Sequence, residues 1–195
     1  MAMYTTEELK SLGFANVGAN VLISRQASFY GVARISIGDN VRIDDFCVLS
    51  AGAGGITLGS HIHIAVYSSI IGAGAVTLDN FCNISSRVSL YSSNDDYSGE
   101  YMTNPMVDAC YTNVSHAPVV IGKHVIVGSG SVVLPGVTLA DGCAVGALSL
   151  VSKSLDAWGV YAGQPAKYIK ARSCDLLALE EKFLRSYEVK SAKNQ

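Results

Sequence analysis

Charged residues are scarce in this chain. Asp, Glu, Lys and Arg make up 15% of its 195 residues, whereas hydrophobic residues make up 49%. Disordered proteins have the opposite balance, so the composition predicts one globular domain with a core of its own. The formal net charge of −2 excludes the strongly basic surface that attracts nucleic acids and anionic membranes, and we expect neither as a partner.

Two kinds of apolar segment are also missing. The chain opens on the polar stretch 1–10 instead of a basic region followed by an apolar one, so we expect no secretory signal and a cytoplasmic location. The most apolar run, 62–76, includes His63, Ser68 and Ser69. It is shorter than the ~20 apolar residues of a membrane-spanning helix, and we expect no membrane insertion.

The cysteines have no CxxC spacing, and their number is odd. The five are Cys47, Cys82, Cys110, Cys143 and Cys174. This arrangement predicts neither a zinc site nor a disulfide framework.

What the sequence does have is a period of six. The repeating aliphatic residues are Ile37, Ile43, Leu49, Leu58, Ile64, Ile70, Leu78, Ile84, Leu90, Ile121, Val127, Val133, Leu139, Val145 and Val151. A second column, four residues after each of these, is mostly small or β-branched and includes Cys47, Cys82 and Cys143, which we expect to be small buried hydrophobes. Six is neither the helical period nor the simple strand period. It predicts an all-β solenoid, a parallel β-helix of about five to six coils with three short strands in each coil.

The two ends of the chain follow a helical pattern instead. Thr5 and Glu8 form a capping box ahead of Leu9, which predicts a short N-terminal helical segment at 1–14. Apolar residues at helical spacing from 175 to 189 predict a C-terminal helix, with the tail completing a segment at 173–195. The β-helix domain is then expected at 15–172.

The hexads stop between Leu90 and Ile121. The excursion loop, expected at 91–118, holds four tyrosines, several acidic residues and His116. A long loop that leaves a regular solenoid is usually functional or disordered, and this composition favours function.

The stretch from about 56 to 171 resembles a known family. The carrying segments are IGKHVIVGSGSVVLPGVTLADGCAVGALSLVSKS and YAGQPAKYIKAR, which are similar to the maltose/galactoside-like sugar O-acetyltransferase branch of the hexapeptide-repeat acyltransferases. The resemblance implies a left-handed β-helix and a homotrimer with active sites between subunits. It also implies acetyl-CoA as the donor, a sugar or nucleotide sugar as the acceptor, and no metal.

The resemblance also implies the residues that contact coenzyme A. Small coil residues would let the pantetheine arm lie along the solenoid, and lysines would face the adenosine phosphates. The residues at matching positions are Ser129, Ala147, Ser152, Lys153, Lys167 and Lys170.

A general base would take the proton of the acceptor as it attacks the thioester. The family's motif has a His-Pro pair where this chain has Asp95, so the base is not carried over directly. Two alternatives remain. His116 at the return of the loop could reach the same cleft, or Asp95 or Asp96 takes part together with His63 from the preceding coil of a neighbouring subunit.

The leading prediction is an acetyl-CoA-dependent acetyltransferase that acts on a sugar hydroxyl. The alternative is acetylation of the amine of a nucleotide-linked amino sugar, because an amine that has lost its proton needs less help from a base. A metal-dependent lyase would need closely spaced histidines in a different pattern from His61, His63, His116 and His124. A scaffold without catalytic activity is disfavoured by the QPAK and VSK elements.

Overall fold

The structure is a computed structural model that describes residues 2–193, with side chains described as far as residue 187. It is a parallel β-solenoid with three faces. Face 1 consists of β1 (Asn16–Val17), β4 (Ile35–Ile37), β7 (Ile56–Leu58), β10 (Val76–Leu78), β15 (Val119–Ile121) and β18 (Thr138–Leu139). Face 2 consists of β2 (Leu22–Ile23), β5 (Arg42–Ile43), β8 (His63–Ile64), β11 (Asn83–Ile84), β16 (Ile126–Val127), β19 (Ala144–Val145), β21 (Gly159–Ala162) and β22 (Lys167–Ala171). Face 3 consists of β3 (Ser28–Tyr30), β6 (Val48–Ala51), β9 (Ser69–Gly72), β12 (Ser89–Tyr91), β17 (Val132–Val133) and β20 (Leu150–Val151).

The solenoid makes about seven turns. Face 2 has eight strands, and removing β22, which pairs antiparallel with β21, leaves seven parallel ones. The predicted fold class is confirmed, although the prediction of about five to six coils is slightly low. The first coil was undercounted because its aliphatic residues, such as Val17 and Ile23, are few and weakly patterned.

The predicted hexad residues form the core. Residues such as Ile43, Ile64 and Val127 are fully buried, and consecutive coils pair them in register across each face, as in Ile43 with Ile64. The cysteines of the second column are buried as well. Burial raises the pKa of Cys47 to about 11 and that of Cys82 to about 12. These thiols act as small hydrophobes, as predicted, because a buried uncharged thiol is a poor nucleophile.

Three corners join the faces, and each has its own side chains. Corner 1, between faces 1 and 2, contains Asn40, His61, Phe81 and His124. Corner 2, between faces 2 and 3, contains Phe46, Tyr67, Arg87, Gly130 and Leu148. Corner 3, between faces 3 and 1, contains Gly74, Ser92 and Ser152. The residues named at corners 1 and 2 all have φ between 56° and 73°. Most of them are not glycine, so their side chains form columns that run from coil to coil.

The two helices lie at the ends of the chain. Helix α1 (Thr6–Ser11) has the predicted capping box: Glu8 N–H donates to Thr5 Oγ1, and Thr5 N–H donates to the Glu8 carboxylate. Helix α2 (Leu176–Lys193) packs on corner 1. The final tail residues, 194–195, lie outside the described residues. Within 2–193, no helix is both long and apolar enough to cross a membrane.

Candidate functional site

The excursion loop leaves the solenoid at corner 3. Face 1 continues beneath it, because β10 pairs directly with β15. The loop closes where Ala117 N–H donates to Ser92 O, at 3.1 Å. Gly74 lies against this closure: a Cβ added there would lie 2.6 Å from Ala117 O and 2.8 Å from Ser92 O. Close backbone packing therefore sets where the loop begins and ends.

A short antiparallel hairpin forms the root of the loop. Strand β13 (Ser93–Asn94) pairs with β14 (Ser115–His116). Ser93 Oγ accepts a hydrogen bond from Ala73 N–H at 2.7 Å and lies 2.8 Å from His116 Nδ1. His116 is exposed, and this contact fixes its ring against the solenoid. A histidine with one nitrogen held in this way can exchange a proton through the other.

The two acidic residues after β13 have different surroundings. Asp95 follows the strand directly and is exposed. Asp96 accepts hydrogen bonds from Ser98 Oγ at 2.9 Å and from Gly99 N–H at 3.1 Å, so it shapes the turn. The structure thus brings Asp95 and His116 to the same hairpin, whereas Asp96 is engaged within the loop.

The third candidate base, His63, lies elsewhere in the chain. It is on face 2, and its Nε2 lies 2.8 Å from Asp44 Oδ2. Arg42 Nε donates to the other oxygen of Asp44 at 2.7 Å. Burial alone would raise the pKa of Asp44, but these two hydrogen bonds hold that pKa below its ordinary value. Within one chain, face 3 separates His63 from the loop root, so the structure does not bring these candidates together.

Sequence reasoning missed Asp44 and Ser93 as partners of the histidines. A signal for Asp44 was present, because Asp44 follows β5 two residues after Arg42 and His63 lies in register with Arg42 in the next coil. No comparable signal existed for Ser93, whose role depends on how the loop closes.

The residues expected to contact coenzyme A fall on two corners. Ser129 and Ala147 are exposed at corner 2 in successive coils, where Leu148 N–H donates to Ser129 O at 2.9 Å. Gly128 lets these two coils stack closely, since a Cβ on it would lie 2.5 Å from Ala147 N. The small side chains of Ser129 and Ala147 leave the edge itself open. An extended ligand could approach the backbone closely along this edge.

The other expected contacts lie near corner 3 at the C-terminal end of the solenoid. Ser152, Lys153 and Lys167 line a cavity of about 240 Å³ together with Pro165. Lys170 is not in the cavity; it is on β22, paired with Val160 at the outer edge of face 2. Two of the three predicted lysines therefore share one pocket, and their ammonium groups could hold phosphate as point charges.

A metal centre would need several ligands close together. Among residues 2–193, no group of three or more His, Cys, Asp or Glu side chains is placed to hold a metal ion.

Comparison with known proteins identifies the class. The family model for the bacterial transferase hexapeptide (six repeats) matches residues 118–153. A dTDP-4-amino-4,6-dideoxy-D-glucose acyltransferase of Escherichia coli is 59% identical over 183 residues, covering 94% of this chain and 95% of the relative. The chain therefore belongs to the hexapeptide-repeat acyltransferases and is an acyltransferase.

Solved structures agree closely. AntD, an N-acyltransferase from Bacillus cereus solved with dTDP and 3-hydroxybutyryl-CoA, matches with a TM-score of 0.91 at 46% identity, covering 95% of this chain and 98% of AntD. A serine-to-alanine variant of AntD, solved with dTDP-4-amino-4,6-dideoxyglucose and coenzyme A, gives the same TM-score, identity and coverage. The resemblance to sugar-modifying acyltransferases is thereby confirmed.

Proposed function

We propose that this protein transfers an acyl group, acetyl in the simplest case, from an acyl-CoA thioester to the 4-amino group of a dTDP-linked 4-amino-4,6-dideoxyhexose. The observation that carries the proposal is the 59% identity over almost the whole chain with an acyltransferase of that sugar nucleotide. The relatives favour the amine alternative over the sugar hydroxyl that was the leading prediction. The proposal includes the cytoplasmic location that the sequence predicts.

The loop root supports an amine acceptor. Asp95 is an exposed carboxylate where the O-acetyltransferase motif has histidine, and a carboxylate can hold an amino sugar's ammonium group and accept its proton. The neutral amine would then attack the thioester carbonyl and form the C–N bond. The C–S bond would break, and coenzyme A would leave as the thiol with the proton that the attacking nitrogen loses. Since an amine is a stronger nucleophile than a hydroxyl, a weaker base is enough.

Ser129 and Ala147 at corner 2 would hold the pantetheine arm in this proposal. Lys153 and Lys167, around the cavity near corner 3, would hold the nucleotide end of coenzyme A. Lys170, at the outer edge of face 2, would add a more distant positive charge.

A homotrimer with active sites between subunits forms part of the proposal. Face 3 separates the loop root from Ser129 and Ala147 within one chain, so a neighbouring copy would supply the loop that completes the site. The outer side of face 3 carries Val132, Leu134 and Leu150, which are apolar and partly accessible in the single chain. Apolar side chains on an outer face suit a subunit contact.

The decisive experiment is a coenzyme A release assay with acetyl-CoA. It would compare dTDP-4-amino-4,6-dideoxyglucose with the matched sugar nucleotide that carries a hydroxyl at carbon 4. We expect turnover with the amine and at most a trace with the hydroxyl. Turnover with the hydroxyl sugar alone would favour O-acetylation as the function. His116, whose ring is fixed by Ser93, would then be the base. Inactivity with both, across several acyl-CoA donors, would refute the proposal.

A further inference from the structure

Corner 2 carries an exposed aromatic pair. The rings of Phe46 and Tyr67 are stacked, with centroids 4.8 Å apart and planes 15° apart. They are 46% and 52% exposed. The guanidinium of Arg87, in the next coil, lies 5.8 Å from the centre of the Tyr67 ring. We call Phe46, Tyr67 and Arg87 the corner 2 ladder.

The backbone explains why these side chains line up. Tyr67 N–H donates to Asp45 O at 3.1 Å, and Arg87 N–H donates to Val66 O at 3.0 Å. Each ladder residue thus occupies the same corner position, one coil after the last, and the ring separation equals the spacing of neighbouring strands. The column continues through Gly130, which has no side chain, to Leu148.

A comparable column at corner 1 has a structural purpose that is visible in the fold. There, the rings of His61, Phe81 and His124 stack in the same way, and Phe183 of α2 packs against His61 and Phe81. The described contacts of α2 are with corner 1, and among the described residues the corner 2 rings keep about half of their surface exposed. An exposed aromatic ring can stack on a nucleobase, and a guanidinium beside it can pair with phosphate.

Polarity changes along corner 2 in a way that suits a nucleotide. In the coil of Phe46, the adjacent carboxylates are engaged, Asp44 with Arg42 and His63, and Asp45 with Ser24. In the coil of Arg87, the adjacent residues are the neutral Ser85 and Ser86. A diphosphate is therefore favoured beside Arg87 and disfavoured beside Phe46.

The spacing also fits the proposed reaction. From Phe46 to Gly130 is three coils, which is about 14 Å at the usual strand separation. A nucleoside diphosphate sugar extends over a comparable length. Its sugar would then lie at Gly130, beside Ser129 and Ala147, where the proposed acyl donor lies.

We propose that the corner 2 ladder is the nucleotide subsite, with the pyrimidine base on the Phe46–Tyr67 pair and the diphosphate at Arg87. This inference rests on the proposed function and adds the residues that recognise the nucleotide. In this arrangement the base, the diphosphate and the sugar lie on successive coils, and the sugar is next to Ser129 and Ala147, which we call the donor track because they would hold the acyl donor.

The test is calorimetric titration of the full chain with dTDP, together with KM values for the sugar nucleotide and for acyl-CoA. Tyr67→Leu removes the ring but keeps apolar bulk, and it should weaken dTDP binding about tenfold, the effect expected of one lost stacking contact. Tyr67→Phe, the matched control, should stay within about twofold of the unaltered protein. Arg87→Gln should also weaken dTDP about tenfold while changing thymidine binding little, because only dTDP carries the diphosphate. None of the three should alter the KM for acyl-CoA.

Several results would overturn the inference. If the unaltered protein acylates the sugar nucleotide but Tyr67→Leu and Arg87→Gln bind dTDP normally, the subsite is wrong and the proposed function stands. If Tyr67→Leu changes the oligomeric state in size-exclusion chromatography, and its dTDP binding falls only as much as the fraction of intact oligomer, the ring is a subunit contact and the inference fails. If the unaltered protein neither binds dTDP nor uses the sugar nucleotide, both proposals fail together.

Discussion

Glu180 Oε2 lies 2.8 Å from His124 Nε2, and this contact joins helix α2 to corner 1 of the solenoid. Lys123 Nζ lies 2.5 Å from the other oxygen of the same carboxylate. Burial alone would raise the pKa of Glu180, but the hydrogen bonds with Lys123 and His124 hold that pKa below its ordinary value. The helix is therefore fastened by a charge that depends on pH.

We expect Glu180→Gln to lower the free energy of unfolding by about 1 kcal/mol at neutral pH, because it removes an ion pair at a partly solvated site. A lowered pKa in the folded state means that the contribution is complete above the unfolded glutamate's pKa, near 4.3, and is lost as pH falls through the folded value. Denaturant titrations of both proteins should therefore converge in acid. Glu181→Gln, on the exposed side of α2, is the control and should change little; an equal loss there would contradict this role for Glu180.

Gly74→Ala should disturb the closure of the excursion loop. Its new methyl group would lie 2.6 Å from Ala117 O, so backbone must shift, at a cost of about 1–3 kcal/mol in the free energy of unfolding. Activity should fall further than stability alone explains, because the loop root carries Asp95 and His116. Thermal unfolding and kcat would be measured together. Gly99→Ala is the comparison: no atom lies within 4 Å of the added group, but φ is +83° there, so this variant measures backbone strain in the loop without a clash at the closure. A loss of kcat in Gly99→Ala equal to that in Gly74→Ala would show that packing at the closure is unimportant.

The identity of the base can be decided by single substitutions. Asp95→Asn, His116→Gln and His63→Gln should be compared by kcat with the amino sugar nucleotide, and the base should lose about 100-fold or more. We expect the largest loss for Asp95→Asn. Asp96→Asn is the matched control, because Asp96 already accepts hydrogen bonds from Ser98 and Gly99. Full activity in all three test variants would place the chemistry outside the loop root.

Ala147→Trp tests the donor track. A large side chain at this exposed corner position would occupy the proposed path of the pantetheine arm, so the KM for acyl-CoA should rise about tenfold or more. Binding of dTDP alone, which lacks the sugar and would contact Phe46, Tyr67 and Arg87, should change little. Ala53→Trp places the same bulk on an exposed corner near the N-terminal end, and it should leave the KM for acyl-CoA unchanged. An unchanged KM for acyl-CoA in Ala147→Trp would show that the pantetheine arm does not lie along corner 2.

The repeat made most of the fold predictable, because one inward residue in every six leaves a solenoid as the arrangement that buries them all. Columns such as Ile43–Ile64–Ile84 are recognisable from spacing alone. The corners were less predictable: glycine and asparagine adopt positive φ most readily, yet Phe46, His61, Tyr67 and Phe81 hold that conformation. Contacts between successive coils offset the local strain, and those contacts depend on the three-dimensional register.

The candidate site was predictable only in part. The loop was located by the break in the repeat, and the positions implied for coenzyme A contacts came from the resemblance. The contact of Ser93 with His116 could not be predicted, because it forms when two ends of a long loop meet. The attachment of α2 through Glu180 could not be predicted either, because Glu180 and His124 are far apart in sequence and no periodic pattern links them.

The direct pairing of β10 with β15 has a consequence for how such a chain can change. The solenoid is complete without the loop, whose ends meet at the hydrogen bond from Ala117 N–H to Ser92 O and in the short β13–β14 hairpin. The loop is thus a module that can be exchanged, lengthened or shortened while the coils on either side keep their register. Under the proposed function, changes in the loop beyond its closure would alter the choice of acceptor while the coils stay folded, so this corner is the place to graft a new specificity.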